Sequence, residues 1–319
     1  MSLSRRVFLA GMGAAGAMVS MSRAAQASCP FRLAVINDEI SQDFDHACQV
    51  AAHDFGLQWI ELRGMWNKNI TELDAAEVAQ ARAILAKYNL RVTDIASPLF
   101  KVDWPGAPLS KESPRHDQFN ANFDFKQQDV VLEHSIDLAK SFGTDRIRCF
   151  DFWRLEDQKP YREAINHKLS EAARTCAKHN LLLVLENEMA CNTATGEEAA
   201  ATLQAVPETN FMLNWDPGNA ATFAGSMPFP NGYNLLPKHR IGHCHAKNVV
   251  RKPEGKWEWA PVGTGVVDWA GQLGALARDG YHYAVSLETH WRGAGTPEAS
   301  SRISMKGLKD ALAMAGTGC

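Results

Sequence analysis

The chain repeats one order of elements, in which a stretch with helical periodicity is followed at once by a short run rich in β-branched and aromatic residues. In residues 74–89, for example, apolar side chains recur every three or four positions and so share one helix face. Five of these stretches close on a Gly or an Asn, the residues that most readily take the left-handed conformation at a helix end. The closing residues are Gly56, Asn89, Gly143, Asn180 and Gly280. A repeated helix-to-strand junction predicts parallel strands joined by helices.

Three further β-rich runs, "FRLAVIN", "FMLNWD" and "RIGHCHAK", bring the number of predicted strands to eight. Eight strands within residues 28–319, with no linker between them, predict an α/β fold that is a single (β/α)8 TIM barrel. A doubly wound sheet would need a glycine-rich phosphate-binding turn after its first strand, and "VINDEIS" offers none. The one long insertion, roughly residues 98–122, follows the third strand and is expected to lie over the active face.

Residues 1–27 differ from the rest of the chain in carrying paired arginines, a short apolar run rich in Gly and Ala, and a small-residue end. These features are typical of an export signal, and Arg5-Arg6 resembles the twin-arginine signal, which directs the export of folded proteins. We therefore expect recognition by the twin-arginine export machinery and a periplasmic or secreted location. The apolar run is short for a span of about 20 residues, so no stable membrane anchor is expected. Cleavage after Ala27, an uncleaved signal and lipid attachment at Cys29 all stay open from the sequence.

Charge and cysteine content narrow the choice of partner and compartment. Without the three arginines of the signal, the chain has 30 basic and 36 acidic residues, and the net charge of −6 argues against binding to nucleic acid. The seven cysteines show no CxxC spacing, so neither a zinc knuckle nor a dense disulfide framework is expected. In a (β/α)8 barrel the first strand starts and the eighth helix ends on the face opposite the active site, so Cys29 and Cys319 could pair in an oxidising compartment. The sequence does not distinguish a monomer from a homo-oligomer.

Polar residues stand at the ends of the four later strands, where a barrel of this type has its active site. They are Glu186, Asp216, His245 and Glu288. Three carboxylates and one imidazole form an oxygen-rich donor set that suits Mn²⁺, Mg²⁺ or Zn²⁺. Buried together without a cation, the carboxylates would repel one another and be driven to protonate. The pattern therefore predicts a divalent metal, although each residue taken alone would be read as a solvated charge at a strand end.

The motifs around these residues resemble those of a known family, the sugar phosphate isomerase/epimerase group of xylose isomerase-like barrels, which includes ketose 3-epimerases. The resemblance extends from about residue 31 to the C-terminus, and its most specific parts are "LENE", "DPGN", "HAKN" followed by "GTGVVDW", and "LETH", in that order. It implies that Glu186, Asp216, His245 and Glu288 bind one metal. It also implies a metal-dependent isomerase or epimerase that acts on a small-molecule sugar or polyol ketone through an enediolate, with Glu186 and Glu288 as catalytic residues.

Two positions depart from the family pattern. Asn248 stands where family members often have Asp, and the chain has Gly263-Thr264-Gly265 in place of "GEG". Neither change touches the four ligand candidates, but both put the contacts around them in question.

Five further residues near the strand ends are candidates for substrate binding. They are Glu61, Arg63, Arg148, His243 and Lys247. Glu61 and Arg63 end the second strand facing inward, and an ion pair inside the barrel would explain them equally well. Strand alternation puts Lys247 on the same face as His245, pointing into the pocket, and places His243 one pleat earlier, on the pocket floor or in the core.

Two rival functions stay open. The first is a sugar- or metal-binding barrel without turnover. The second is an endonuclease IV-like hydrolase, which would need a three-metal cluster with additional histidines and a basic face for DNA. The net charge of −6 disfavours the hydrolase.

Overall fold

The structure of the protein is a computed structural model, which describes residues 29–113 and 123–319. The predicted export signal at residues 1–27 and the last part of the long insertion lie outside the described residues. Among the helices within residues 29–113 and 123–319, none combines the length and the apolar character that a membrane span requires.

Eight parallel strands form one sheet that curves into a barrel. The strands are β1 Arg32–Val35, β2 Trp59–Leu62, β3 Arg91–Leu99, β4 Arg146–Cys149, β5 Leu182–Glu186, β6 Phe211–Trp215, β7 Ile241–Ala246 and β8 Ala284–Leu287. From β2 onward each strand pairs with the next one along the chain, and β8 pairs with β1. Between β1 and β2 a single parallel bridge, from Ile36 to Glu61, completes the ring. The predicted single TIM barrel is confirmed.

Helices surround the barrel and connect its strands. They are α1 Phe44–Gln49, α2 Ala75–Lys87, α3 Gln128–Phe142, α4 Arg162–Ala177, α5 Gly196–Ala205, α6 Pro217–Thr222, α7 Trp269–Arg278 and α8 Pro297–Met314. A short helical turn, Tyr233–Leu235, follows α6. All five Gly and Asn residues expected to end helices have positive φ, between 53° and 80°. Left-handed conformations at these positions let the chain turn directly from helix into strand.

The third strand is longer than its sequence pattern indicates, because it continues through Pro98 to Leu99. Proline cannot donate to a sheet ladder, so it is tolerated in a strand mainly at an irregularity. The pairing of β3 with β4 has such an irregularity, a shift in register between Ile95 and Leu99. The long insertion therefore begins after Leu99 rather than at Pro98.

Most apolar side chains pack between the sheet and the helices in one continuous core. Trp215 belongs to this layer, since it is wholly buried and its indole N–H donates to Gln272 on α7 at 3.0 Å. The inward-facing residues near the strand ends are instead polar and equally buried, among them Glu61, Asp94 and His243. The fold therefore places its polar interior directly beneath the face where the βα loops meet.

A disulfide joins the segment before β1 to the segment after α8, on the face of the barrel opposite the βα loops. Cys29, before β1, and Cys319, after α8, form a disulfide with a Cα–Cα distance of 4.3 Å. The expected pairing is confirmed. The other five cysteines, all within the described residues, are buried and form no disulfide.

Removing this cross-link should destabilise the protein, because the disulfide restricts the unfolded chain over 290 residues of separation. We expect the Cys29→Ser/Cys319→Ser variant to lose up to about 5 kcal/mol of unfolding free energy, and less if the ends fray. Chemical denaturation with and without reductant measures the effect. Reductant should destabilise the wild type and leave the variant unchanged. Equal stability of the two proteins under oxidising conditions would contradict the expectation.

Candidate active site

The four ligand-type residues predicted from the strand ends lie together at the mouth of the barrel. Glu186 ends β5, Asp216 follows β6, His245 lies near the end of β7 and Glu288 follows β8. Each offers one donor atom, and these four atoms lie within 4.8 Å of one another. All four side chains are buried, with residue exposures of at most 2%.

The imidazole of His245 stands at the centre of this cluster. Its Nδ1 lies 3.2 Å from Glu288 Oε2, 3.5 Å from Glu186 Oε1 and 3.9 Å from Asp216 Oδ2. Burial alone would lower the pKa of His245, but the surrounding carboxylates hold that pKa well above its ordinary value. In the protein alone, a charged imidazole therefore offsets part of the negative charge of the cluster.

The two glutamates have separate cationic partners. Arg148 Nη1 lies 2.9 Å from Glu186 Oε2, and Arg63 Nη1 lies 2.5 Å from Glu288 Oε1. Burial would raise the pKa of both carboxyl groups. Nearby positive charges, with His245 foremost for Glu186 and Lys247 foremost for Glu288, hold both pKa values below the ordinary range. Both carboxylates are therefore ionised at neutral pH.

Asp216 differs from the two glutamates in its electrostatic environment. Burial, reinforced by the neighbouring carboxylates of Glu288 and Glu186, raises the pKa of Asp216 to about 7 even though Lys247 lies close by. The Lys247 ammonium is 3.0 Å from Asp216 Oδ2 and 2.5 Å from Glu288 Oε2. Lys247 thus reaches into the cluster, as its strand position predicted.

The "DPGN" motif after β6 builds one side of the site. Asp216 caps α6, since its Oδ1 accepts from the Asn219 N–H at 2.7 Å, and Oδ2 is left facing the cluster. The Asn219 side chain donates to Glu186 Oε1 at 3.0 Å and accepts from Lys247 at 2.9 Å. Gly218 lacks a side chain because a Cβ there would lie 2.7 Å from Cγ of Lys247. Asp216, Gly218 and Asn219 therefore each have a defined structural role in the motif.

The two departures from the family pattern leave the surrounding loop intact. Asn248 Oδ1 accepts from the backbone N–H groups of Val249 and Val267, at 2.9 and 3.0 Å. Gly265 packs so tightly against this side chain that a Cβ would overlap Asn248 Oδ1. The amide of Asn248 thus anchors the "GTGVVDW" segment, and Thr264 is exposed.

Two of the candidates for substrate binding, Glu61 and His243, lie beneath the cluster rather than in an open pocket. Both are wholly buried. Glu61 Oε1 is 3.0 Å from His245 Nε2, and His243 Nδ1 is 3.1 Å from Asn214 Oδ1. Burial opposed by the two histidines and Arg148 leaves the pKa of Glu61 lowered to about 2, while burial lowers the pKa of His243 to about 3. At neutral pH Glu61 is therefore charged and His243 is neutral.

Arg63 occupies an interior ion-pair network, which is one of the two roles that its position allowed. Besides Glu288, its guanidinium contacts Asp38 and Glu39, each at 2.9 Å. The wholly buried Glu39 also accepts from His290 Nδ1 at 2.8 Å and from Arg292 at 3.0 Å. The sequence reasoning missed Glu39, and the only available signal was an acidic pair directly after a buried strand.

His290 is held in a backbone conformation that is rare for residues other than glycine, with φ of 49°. Its backbone N–H donates to Glu39 Oε2 at 3.1 Å, and its Nε2 lies 3.5 Å from Glu288 Oε1.

The Trp259 ring packs edge-on against the His290 imidazole, with 5.3 Å between the ring centroids. Trp259 lies on a hairpin formed by Asn248–Arg251 and Trp257–Ala260, and its ring is 5.1 Å from the Lys247 ammonium. Trp259 and His290 therefore form one wall beside Lys247 and Glu288.

Comparison with known proteins places the chain in a family. The family model described as xylose isomerase-like TIM barrel matches residues 50–311. Curated protein sequences give no match.

Three similar solved structures each span nearly their whole length in the match. The first is the IolI protein with a bound zinc atom, 16% identical, with a TM-score of 0.68 over 88% of this chain and 98% of that one. The second is the probable 3-DHS dehydratase AsbF of Bacillus anthracis, 20% identical, with a TM-score of 0.66 and coverages of 87% and 98%. The third is D-psicose 3-epimerase with D-tagatose from Clostridium cellulolyticum H10, 15% identical, with a TM-score of 0.62 and coverages of 89% and 98%.

Sequence identities of 20% or less to these three structures support a shared fold and nothing narrower. The family model, in contrast, matches most of the sequence and therefore identifies the family. The chain belongs to the xylose isomerase-like TIM barrel family.

Proposed function

We propose that the protein is a metal-dependent isomerase or epimerase that acts on a sugar or a related polyol ketone through an enediolate. The observation that carries this proposal is the pair of buried, ionised glutamates, Glu186 and Glu288, which meet at one cluster of ligand-type atoms and are each held by a separate arginine. Two carboxylates with a cation between them suit the removal and return of a proton on carbon. The D-psicose 3-epimerase with D-tagatose, similar in fold, is a relative that acts on ketoses.

The residues of the cluster fit a divalent metal. Asp216 Oδ2 and Glu288 Oε2 are buried and face the cluster, and although the Lys247 ammonium lies within 3.0 Å of both, neither oxygen accepts a well-aligned hydrogen bond from the described residues. With Glu186 and His245 they form a set of three carboxylates and one imidazole, which is suited to Mn²⁺, Mg²⁺ or Zn²⁺. Zinc is the metal in the IolI structure. When bound, such an ion would polarise a carbonyl group and favour the negative charge of an enediolate.

Side chains of the protein transfer the proton and hold the reacting groups in place. One of Glu186 and Glu288 removes a proton from the carbon beside the carbonyl group, and the same or the other carboxylate returns it. Arg148 and Asn219 fix the orientation of Glu186. The Lys247 ammonium donates to a substrate oxygen that gains negative charge, because it lies within the cluster and carries a positive charge.

The stereochemical outcome depends on which carboxylate returns the proton. Return by the second glutamate to the opposite face gives epimerisation, whereas return on the same face permits a 1,2-isomerisation. Carboxylates on opposite sides of a bound substrate would favour the epimerase. A barrel that binds sugar or metal without turnover is the alternative, and exchange of the carbon-bound proton separates the two.

We also propose that the protein acts after export. The Cys29–Cys319 disulfide supports this location, because disulfides persist mainly in oxidising compartments.

The ligand assignment predicts which variants lose metal. Asp216→Ala and His245→Ala should each abolish stoichiometric metal, and each should also lose the thermal stabilisation that metal gives the wild type, because binding to the folded state alone stabilises it. His243→Ala, one pleat away on the same strand, is the matched control and should keep its metal. Elemental analysis and thermal melts measure both effects. Loss in His243→Ala together with retention in His245→Ala would reverse the assignment.

Lys247 should weaken metal binding, because its ammonium contacts two of the proposed ligand oxygens. Replacing it in Lys247→Met removes a competing positive charge, so metal affinity should rise on the order of tenfold while turnover falls. Chelator competition gives the affinity. An unchanged or weaker affinity would mean that Lys247 supports the metal ligands rather than competing with the metal.

The two-carboxylate mechanism predicts the behaviour of Glu186→Gln and Glu288→Gln. Both should lose roughly 10²- to 10⁴-fold in turnover, because each removes a general acid or base. If each carboxylate serves one face of the substrate, one variant should still exchange deuterium from solvent into a ketose without inverting it. Proton NMR in deuterated buffer against a panel of ketoses provides the measurement. Variants that retain metal and substantial turnover would rule out this mechanism, and a wild type with no exchange would favour the binding barrel.

A further inference from the structure

Glu61 reaches the metal-ligand candidates from below, across the interior of the barrel. Its backbone forms the bridge to Ile36 that joins β1 and β2, and its side chain is wholly buried. The carboxylate extends from there to His245 on β7, where Oε1 lies 3.0 Å from Nε2. A carboxylate in this position cannot be a surface charge. Its other oxygen, Oε2, has no hydrogen-bond partner within the described part of the chain and lies 3.7 Å from His243 Nε2, so the contact of Oε1 with His245 is the closer of the two.

The two ring nitrogens of His245 face different groups. Nδ1 faces the three carboxylates at the strand ends, whereas Nε2 faces Glu61. The Asn214 amide nitrogen is also near the ring, at 3.0 Å from Nε2 and 3.4 Å from Nδ1. An atom nearly equidistant from both ring nitrogens at such distances lies over the ring face, not in line with either lone pair. Glu61 is therefore the acceptor that lies in hydrogen-bonding reach of a proton on Nε2.

From this geometry we infer that Glu61 is a positioning residue for the metal ligand His245: it accepts the Nε2 proton, fixes the tautomer and directs the Nδ1 lone pair toward the metal. A metal-bound histidine commonly donates its second ring N–H to a carboxylate, which orients the ring and makes it a better ligand. The inference rests on the proposed function only through the assignment of His245 as a ligand. It replaces the expected role of Glu61 in binding substrate hydroxyls with a role in holding the metal.

The two possible roles of Glu61, binding of substrate and positioning of His245, predict different experimental results. A residue that binds substrate changes KM and leaves the affinity for metal unaltered. A residue that positions His245 changes the affinity for metal in the absence of any substrate. Cobalt(II) is a suitable probe, because its visible absorption reports the geometry of its ligands as well as its binding.

The experiment measures cobalt affinity of the full chain by chelator competition, together with the cobalt absorption spectrum. We expect Glu61→Gln to bind cobalt about tenfold more weakly than the wild type, because the amide keeps an acceptor but loses the charge. Glu61→Leu removes the acceptor as well, and its affinity should fall about 100-fold with an altered spectrum. If the Leu variant does not fold, Glu61→Asp replaces it, since the shorter side chain withdraws the carboxylate from Nε2.

Asp94→Asn is the matched control. Asp94 is another wholly buried carboxyl group inside the barrel, on the neighbouring strand β3, and neither of its oxygens has a hydrogen-bond partner among the residues described. Its replacement should leave cobalt affinity within about twofold of the wild type, as expected for a site outside the positioning contact.

Each outcome has a definite reading. Wild-type affinity in the Glu61 variants, or an equal loss in Asp94→Asn, would overturn the positioning role. A wild type that takes up no cobalt would overturn it too, together with the ligand assignment. Cobalt binding that depends on Glu61, in a protein that exchanges no ketose proton, would support the positioning role and count against the proposed function alone.

Discussion

The constraint on which the site depends is the burial of three carboxylates around one imidazole. Glu186, Asp216 and Glu288 lie at a depth where isolated charges are strongly disfavoured, so each must be paired, hydrogen-bonded or protonated. The surrounding positive side chains stabilise the ionised form of the two glutamates more than that of Asp216. Both glutamates remain ionised, whereas the pKa of Asp216 rises to about 7. The positive side chains of the protein therefore do not fully stabilise an ionised Asp216 among the other carboxylates. A bound divalent cation would supply the missing positive charge.

The side chains that provide this balance also determine the shape of the site. Lys247 can enter the cluster because Gly218 leaves room for its side chain, and it is held there by Asn219. Arg63 links Glu288 to Glu39, so the loop after β1 is tied to the end of β8. These contacts join neighbouring βα loops through charged groups whose removal would leave a buried charge without a partner. The geometry of the site and the local stability consequently depend on the same residues.

The sequence was sufficient for the fold and for the four residues of the cluster because both follow local rules. Gly and Asn end helices through the left-handed conformation, and strand alternation with the known polarity of a barrel brings Glu186 and His245 to one end. Contacts that cross the barrel follow no local rule. That Glu61 meets His245, and that Arg63 meets Glu39 rather than Glu61, depends on side-chain directions in a closed ring of strands. Pro98 within β3 escaped the pattern for a related reason, since it depends on a register shift against β4.

The polar layer beneath the cluster has a cost that a purely structural barrel would avoid. Barrel interiors are commonly filled with branched apolar side chains. Here Glu61, Asp94 and His243 are wholly buried at that level, and each has at least one atom without a hydrogen-bond partner in the described structure. Such atoms destabilise the fold by about 1–3 kcal/mol each when nothing else satisfies them. For Glu61 the contact with His245 offsets this cost, because it holds a ligand candidate of the cluster above. Glu61 is therefore best understood as a support of the site rather than as part of the core.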